Sequence, residues 1–363
     1  MYDFIKFDES AVLEEAIARY EEATKTTLYA GDERRILINS FMYPAKLIAE
    51  KANYLANQYF AQTAEMPFLQ YIGEGRNVYI LQAEKSLVTM RFRIAALQIF
   101  DIAIPAGIRV TPDGIHYYAT QNAGVIIQNS LYTDIICEAT VAGKGHNGFI
   151  AGTINTLVDN VLYISNVTNI DTSSGGSETE DTESYRERIL LKPFGYNTAG
   201  AEEAYIYHTK SADSSIGSVT VTTEPATVII TILNKDGTIP SDLVVDRVQN
   251  ALNGKEVRPL TDNVIIQKPT TVSYEININY TVSEEDRSNE DSIKANVEAA
   301  IKAYVLYQSS ELGKAINPDV LRKYILNAGA YTCTINSPSY IAVNKQSIAQ
   351  ISGEPEVTYT GIV

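Results

Sequence analysis

At Ser86 the hydrophobic period of this chain changes, and that change limits the folds open to it. Val88, Met90, Phe92 and Ile94 alternate with Thr89, Arg91 and Arg93, the pattern of a half-buried strand. More strands are expected near residues 97–104, 108–111, 116–119 and 132–141. Pro105-Ala106-Gly107 and Pro112-Asp113-Gly114 separate them and are turn chemistry. Short strands at such spacing predict a β-sandwich or small barrel.

Upstream the period is helical. Leu13, Ile17 and Tyr20 follow i, i+4, i+7 spacing over 9–27, with Glu14, Glu15, Glu21 and Glu22 left for the wet face. A second helical region runs over 32–63 with Ile36, Leu37, Phe41, Leu47, Ile48, Leu55 and Tyr59 on its apolar side. Pro44 falls inside it, which predicts two consecutive helices. A short third helix around 68–72 is expected to end at Gly73 as its C-cap. Such stripes either close a small bundle on itself or pack against another chain, since both use the same spacing. Leu13, Ile17, Tyr20, Leu47, Ile48 and Leu55 are the candidate partner-binding residues.

The stretch Ser173–Phe194 organises the middle of the chain. Gly175 and Gly176 form a joint, and Glu178, Glu180, Asp181 and Glu183 are expected to open a helix behind it. Ser177 with Glu180 fits a capping box, Tyr185, Ile189 and Leu190 form the buried stripe, and Pro193 stops the helix. Further on, a helix is expected over 198–211, strands over 218–222 and 226–233, and a turn at Asn234-Lys235-Asp236-Gly237. A helix over 240–253, one long strand over 272–282, helices over 291–307 and 317–326, and two closing strands complete the reading. The fold class is therefore α+β and multidomain: an N-terminal helical segment, a β-rich sandwich- or barrel-like domain, then two smaller α+β domains. The boundaries fall at 1–85, 86–172, 177–268 and 269–363.

Function classes are bounded by charge and by missing constellations. With 29 Lys and Arg against 44 Asp and Glu, the formal charge of −15 argues against a basic nucleic-acid face. No apolar run approaches the ~20 residues of a membrane helix, and the first residues carry no signal-peptide pattern. Cys137 and Cys333 read as buried reduced thiols rather than a disulfide. Tyrosine, 24 residues beside no Trp, points to assembly surfaces. His116, His146 and His208 look isolated, with no second ligand at metal spacing. Gly143-Lys144-Gly145 lacks the spacing of a phosphate loop, and Gly73-Glu74-Gly75 follows a helix, unlike a dinucleotide fingerprint. The acidic run 178–183 lacks the central glycine of a calcium loop. No catalytic residue, metal site or cofactor is expected, and the chain does not read as an enzyme.

Gly175-Gly176-x-x-x-Glu180-x-x-Glu183-x-Tyr185-Arg186-Glu187-Arg188 resembles the central signature of the baseplate J-like family, wedge proteins of contractile phage tails and related injection particles. Ile104-Pro105-Ala106-Gly107 with Tyr118-Ala119-Thr120, the loop Gly145-His146-Asn147-Gly148, Arg258-Pro259-Leu260-Thr261-Asp262, and Leu312-Gly313-Lys314 extend the resemblance over 67–363. Ile108 departs from the usual Thr of the first of these. The resemblance implies a structural baseplate subunit that pairs with a second copy and joins wedges into a six-fold ring around the hub. It also implies other wedge proteins, the hub and the sheath initiator as partners, no nucleic acid or membrane insertion, and synthesis in the bacterial cytoplasm. A ring of that kind would hold the sheath extended and rearrange to release contraction. The alternative is a carbohydrate-binding or carbohydrate-cleaving tail or surface protein, with the strands at 86–165 as its binding module; the absence of Trp counts against it.

Overall fold

The computed structural model describes residues 2–197, 201–254 and 263–363. Within it the chain forms two compact units, residues 1–80 with 182–192, and residues 81–181 with 193–363.

The first unit is helical. It contains α1 (Glu9–Thr24), α2 (Glu33–Ser40), α3 (Met42–Asn57), α4 (Phe68–Glu74) and, from the middle of the sequence, α5 (Thr182–Leu191). Asp8 caps α1 by accepting from the amide of Ala11, which satisfies one of the four orphan donors of a first turn. Two consecutive helices replace one at 32–63, as expected, but the break lies at Phe41 rather than Pro44. Pro44 sits in the first turn of α3, where its missing N–H has no intrahelical partner to lose. Gly73 is not a C-cap either: α4 runs on to Glu74 with Gly75 at its end. Gly73 is instead where Tyr185 packs, and a Cβ there would lie 2.0 Å from the Tyr185 hydroxyl oxygen. That hydroxyl donates to the Val78 carbonyl at 2.8 Å. Tyr185 and Ile189 join Leu69, Val78, Ala61 and Ala64 in one core, while Leu190, expected in the stripe, is 36% exposed. Arg186 Nη1 donates to the carbonyls of Ala61 and Ala64, tying α5 to the turn beyond α3.

The second unit opens with β1 (Leu87–Ile94), β2 (Ile102–Ile104), β3 (Arg109–Thr111), β4 (Tyr118–Thr120), β5 (Gly124–Ile126), β6 (Tyr132–Ala139), β7 (Thr156–Leu157) and β8 (Ile164–Asn169). Six of these form one antiparallel sheet in the order β7-β3-β4-β6-β1-β8. Asn169 nearly closes it into a barrel. Its backbone N–H donates to Ile154 O, and its Oδ1 accepts from Ile154 N at 2.8 Å, bringing the β8 edge to the chain just before β7. Val88, Met90, Phe92 and Ile94 all point into the barrel core, as the alternation predicted. Burial of each such side chain stabilises by about 1.5–3 kcal/mol.

The central part holds α6 (Glu202–Ala212), β9 (Ile216–Glu224), β10 (Thr227–Asn234), α7 (Asp242–Leu252) and β11 (Asn263–Gln267), with sheet order β11-β10-β9. Residues 198–200 of the expected helix, and Arg258–Asp262 of the R-P-x-T-D element, lie outside the described residues. The remainder comprises β12 (Thr270–Tyr274), β13 (Asn277–Val282), α8 (Glu290–Ser309), α9 (Pro318–Asn327), β14 (Thr332–Ser337), β15 (Ser347–Ile351) and β16 (Glu356–Ile362). The long strand expected at 272–282 is two strands, because β12 pairs with β15 while β13 crosses to a separate sheet with β14 and β16. Gly313, at φ +71°, turns the chain so that Leu312 packs with Leu233 and Ile348, fastening the last part to the central one. The class is α+β, with N-terminal helices, a nearly closed six-strand barrel and smaller α/β segments behind it.

Candidate functional site

The glycine joint is bonded both to the chain that leads into β1 and to the G-H-N-G loop. Ser174 and Ser177 pair with Leu87 and Glu84 through backbone hydrogen bonds, so the joint runs extended along the chain that leads into β1. Between those two pairs, Gly175 takes φ +84°, which only glycine adopts freely. Gly176 is required for space: a Cβ there would meet Gly143 O at 2.4 Å and Asn147 Oδ1 at 3.0 Å. Asn147 binds Gly176 with both ends of its amide, donating from Nδ2 to Gly176 O at 2.7 Å and accepting from Gly176 N at 2.9 Å. Ser173 Oγ donates to His146 O, and Gly148 N donates to Ser173 O. The G-H-N-G loop and the glycine pair, 29 residues apart, are therefore one structure.

The expected capping box does not form. The helix starts only at Thr182, and Ser177 and Glu180 lie in extended chain before it. The acidic run disperses instead of clustering. Glu178 accepts from Lys144 N, Glu180 from Leu81 N, Asp181 pairs with Lys235 at 2.7 Å, and Glu183 pairs with Arg186. Extended backbone sends successive side chains to opposite sides, so carboxylates adjacent in sequence reach different partners.

Two other sequence elements meet in the same way. Thr120 Oγ1 donates to Pro105 O and accepts from Ile108 N, joining Ile104–Gly107 to Tyr118–Thr120 across the barrel rim.

The histidines are not all isolated. His116 and His146 rings lie 5.0 Å apart, edge to face, beside Phe149 and Tyr118. His116 Nδ1 is 2.6 Å from Asp113 Oδ2. The backbone N–H of His116, its ring and the N–H of Ile115 hold the Asp113 carboxyl down to about 2. Burial, and then the neighbouring His116, push His146 below its ordinary value. The contact was invisible in sequence because the two residues are brought together only by barrel closure. His208 faces the Gly195 carbonyl. Both cysteines are free thiols, and burial pushes Cys137 up to about 12. Among the described residues no group of three or more His, Cys, Asp or Glu could hold a metal, and no helix is long and apolar enough to cross a membrane.

The six candidate partner-binding residues divide. Ile17 is buried within the first unit, and Leu13 and Tyr20 are half-buried. Leu47, Ile48 and Leu55 are exposed at 38%, 70% and 51%, in company with Ile36, Leu37, Phe41 and Tyr43, and α2 buries nothing.

Against this geometry, the models of the baseplate J-like protein barrel domain, central domain and C-terminal domain match residues 89–176, 197–268 and 276–357 in that order. The chain belongs to the baseplate J-like family. The barrel match ends at Gly176, the residue that Asn147 holds. Baseplate protein J of Escherichia phage P2 is 34% identical over 139 residues, 38% of this chain and 45% of that protein. The match thus spans under half of that relative's length. The cryo-EM structure of the anti-feeding prophage baseplate, 6-fold symmetrised, aligns at 10% identity and a TM-score of 0.42 over 94% of this chain and 90% of that one. This baseplate J-like chain is similar to phage baseplate proteins, and its relatives are structural components of such assemblies.

Proposed function

We propose that this chain is a structural wedge subunit of a contractile-tail baseplate. It pairs with a second copy, contacts other wedge, hub and sheath-initiator proteins, and joins a six-fold ring whose rearrangement releases sheath contraction. It acts by changing interfaces rather than by catalysis. Membership of the baseplate J-like family supports the assembly role.

The observation that carries the reading is the apolar side of α2 and α3. Ile36, Leu37, Phe41, Tyr43 and Ile48 are each at least 59% exposed within a few turns of helix. A concentration of exposed apolar side chains of that kind supports a protein interaction surface, and helices fill a partner's groove with apolar residues at such spacing. Leu47, Ile48 and Leu55 are its proposed contact residues, with Leu13 and Tyr20 at its margin.

Light scattering on the chain alone and after co-expression with the proteins encoded beside it tests the proposal. A dimer, or a stable complex with two copies, is expected. A strict monomer that ignores its neighbours overturns it.

A further inference from the structure

A cleft of about 530 Å³ lies along the glycine joint, walled by the G-H-N-G loop on one side and by the turn from β10 into α7 on the other. Three buried polar atoms in its lining have no hydrogen-bond partner among the described residues: Ser177 Oγ, Asn234 Oδ1 and Ser241 Oγ. Ser177 is only 2% exposed, and a buried hydroxyl left unpaired is destabilising. Ser241 occupies the N-cap position of α7 without capping it. The joint also carries backbone N–H groups, those of Gly175, Glu178 and Thr179, that donate to nothing among the described residues.

The chemistry of the cleft narrows its occupant. Two hydroxyls and an amide oxygen ask for both donors and acceptors. Glu178, Asp181 and Asp236 stand beside Lys144 and Lys235, which disfavours a simple anion. No aromatic side chain lines the cleft, so a sugar ring has nothing to stack on. The joint is extended, with one edge already paired to Glu84 and Leu87. Along the other edge Asn147 takes Gly176 N and O, and Ser214 Oγ takes Glu178 O, which leaves the N–H groups of Gly175, Glu178 and Thr179 for the C=O groups of a further extended chain.

We propose that this cleft seats an extended polar peptide segment of a neighbouring baseplate subunit, an inference that rests on the assembly role proposed above. The segment crosses the joint between the G-H-N-G loop and the start of α7, and it satisfies Ser177, Asn234 and Ser241.

Amide hydrogen exchange of the full chain, alone and in the complex formed by co-expression with the proteins encoded beside it, tests the proposal. Exchange at Gly175, Glu178 and Thr179 is expected to slow about tenfold or more in the complex. Thr238→Trp and Ile239→Trp, at exposed lining positions, fill the cleft. With melting midpoints unchanged, either one is expected to abolish that protection while protection of α2 and α3 persists. If the helices are protected and the joint exchanges as fast as in the free chain, the cleft proposal fails and the assembly role stands. If no complex forms, both fall.

Discussion

Asn147 holds Gly176 as a second strand would, one amide group giving and receiving at 2.7 and 2.9 Å. Gly176 leaves no room for a side chain at that contact, because Gly143 O lies within 2.4 Å of where a Cβ would go. The pair ties the G-H-N-G loop to Gly176, where the match to the family's barrel domain ends.

Asn147→Ala removes both bonds and leaves two backbone groups of Gly176 without partners. A loss of about 2–4 kcal/mol in denaturant unfolding is expected, from two groups at roughly 1–2 each. Gly176→Ala is expected to cost about 1–3 kcal/mol by overpacking against backbone that has no rotamer to yield. Equal stability of either variant with the parent would show that the clamp is not formed in solution.

Gly73→Ala is expected to destabilise the helical unit by about 1–3 kcal/mol, since the Tyr185 ring is locked by its bond to Val78. Tyr185→Phe, which keeps the ring and loses the bond, is expected to cost about 1 kcal/mol. Hydrogen exchange at α4 and α5 reads both, and protection there unchanged by Gly73→Ala would contradict the packing.

Ile48→Asp and Leu55→Glu alter exposed side chains, so the chain's own stability is expected to stay within about 0.5 kcal/mol of the parent. The same variants are expected to abolish the complex seen by light scattering. Ile17→Ala, buried in the first unit, is the contrast and is expected to cost about 2–4 kcal/mol. Complex formation untouched by Ile48→Asp and Leu55→Glu together would remove these residues from the interface.

His146 makes the barrel sensitive to mild acid. Its folded value lies below the ordinary 6.5, so the unfolded chain takes up the proton first. The stability it contributes is present above about pH 6.5 and is lost as pH falls through the lower folded value. Asp113 acts in a separate window: its contribution is present above about 4 and is lost as pH falls towards about 2. A melting midpoint that drops between pH 7.5 and 5.5, and drops less in His146→Gln, is the expected result. An identical pH profile for the two proteins would show that His146 does not titrate in this range.

The parts legible in the sequence were those that depend on near neighbours. The alternation Val88, Met90, Phe92, Ile94 set a strand face, and a two-residue period admits no other reading. Gly107 and Gly175 marked places where backbone sterics demand positive φ. The order of short motifs sufficed to suggest the family. What only tertiary structure decided were pairings between distant residues. Gly73 read as a helix stop because a glycine after an apolar turn usually is one; its role is to admit Tyr185, 112 positions later. Ser177 and Glu180 read as a capping box because local spacing allowed it, but pairing with Glu84 and Leu81 kept that chain extended and delayed the helix to Thr182. His116 and His146 looked unrelated until the barrel set their rings edge to face. The periodic stripe of α1 to α3 likewise could not say which apolar residues face inward. Ile17 and Ile48 are equally hydrophobic in sequence, and only the packing of the chain buries one and leaves the other to solvent.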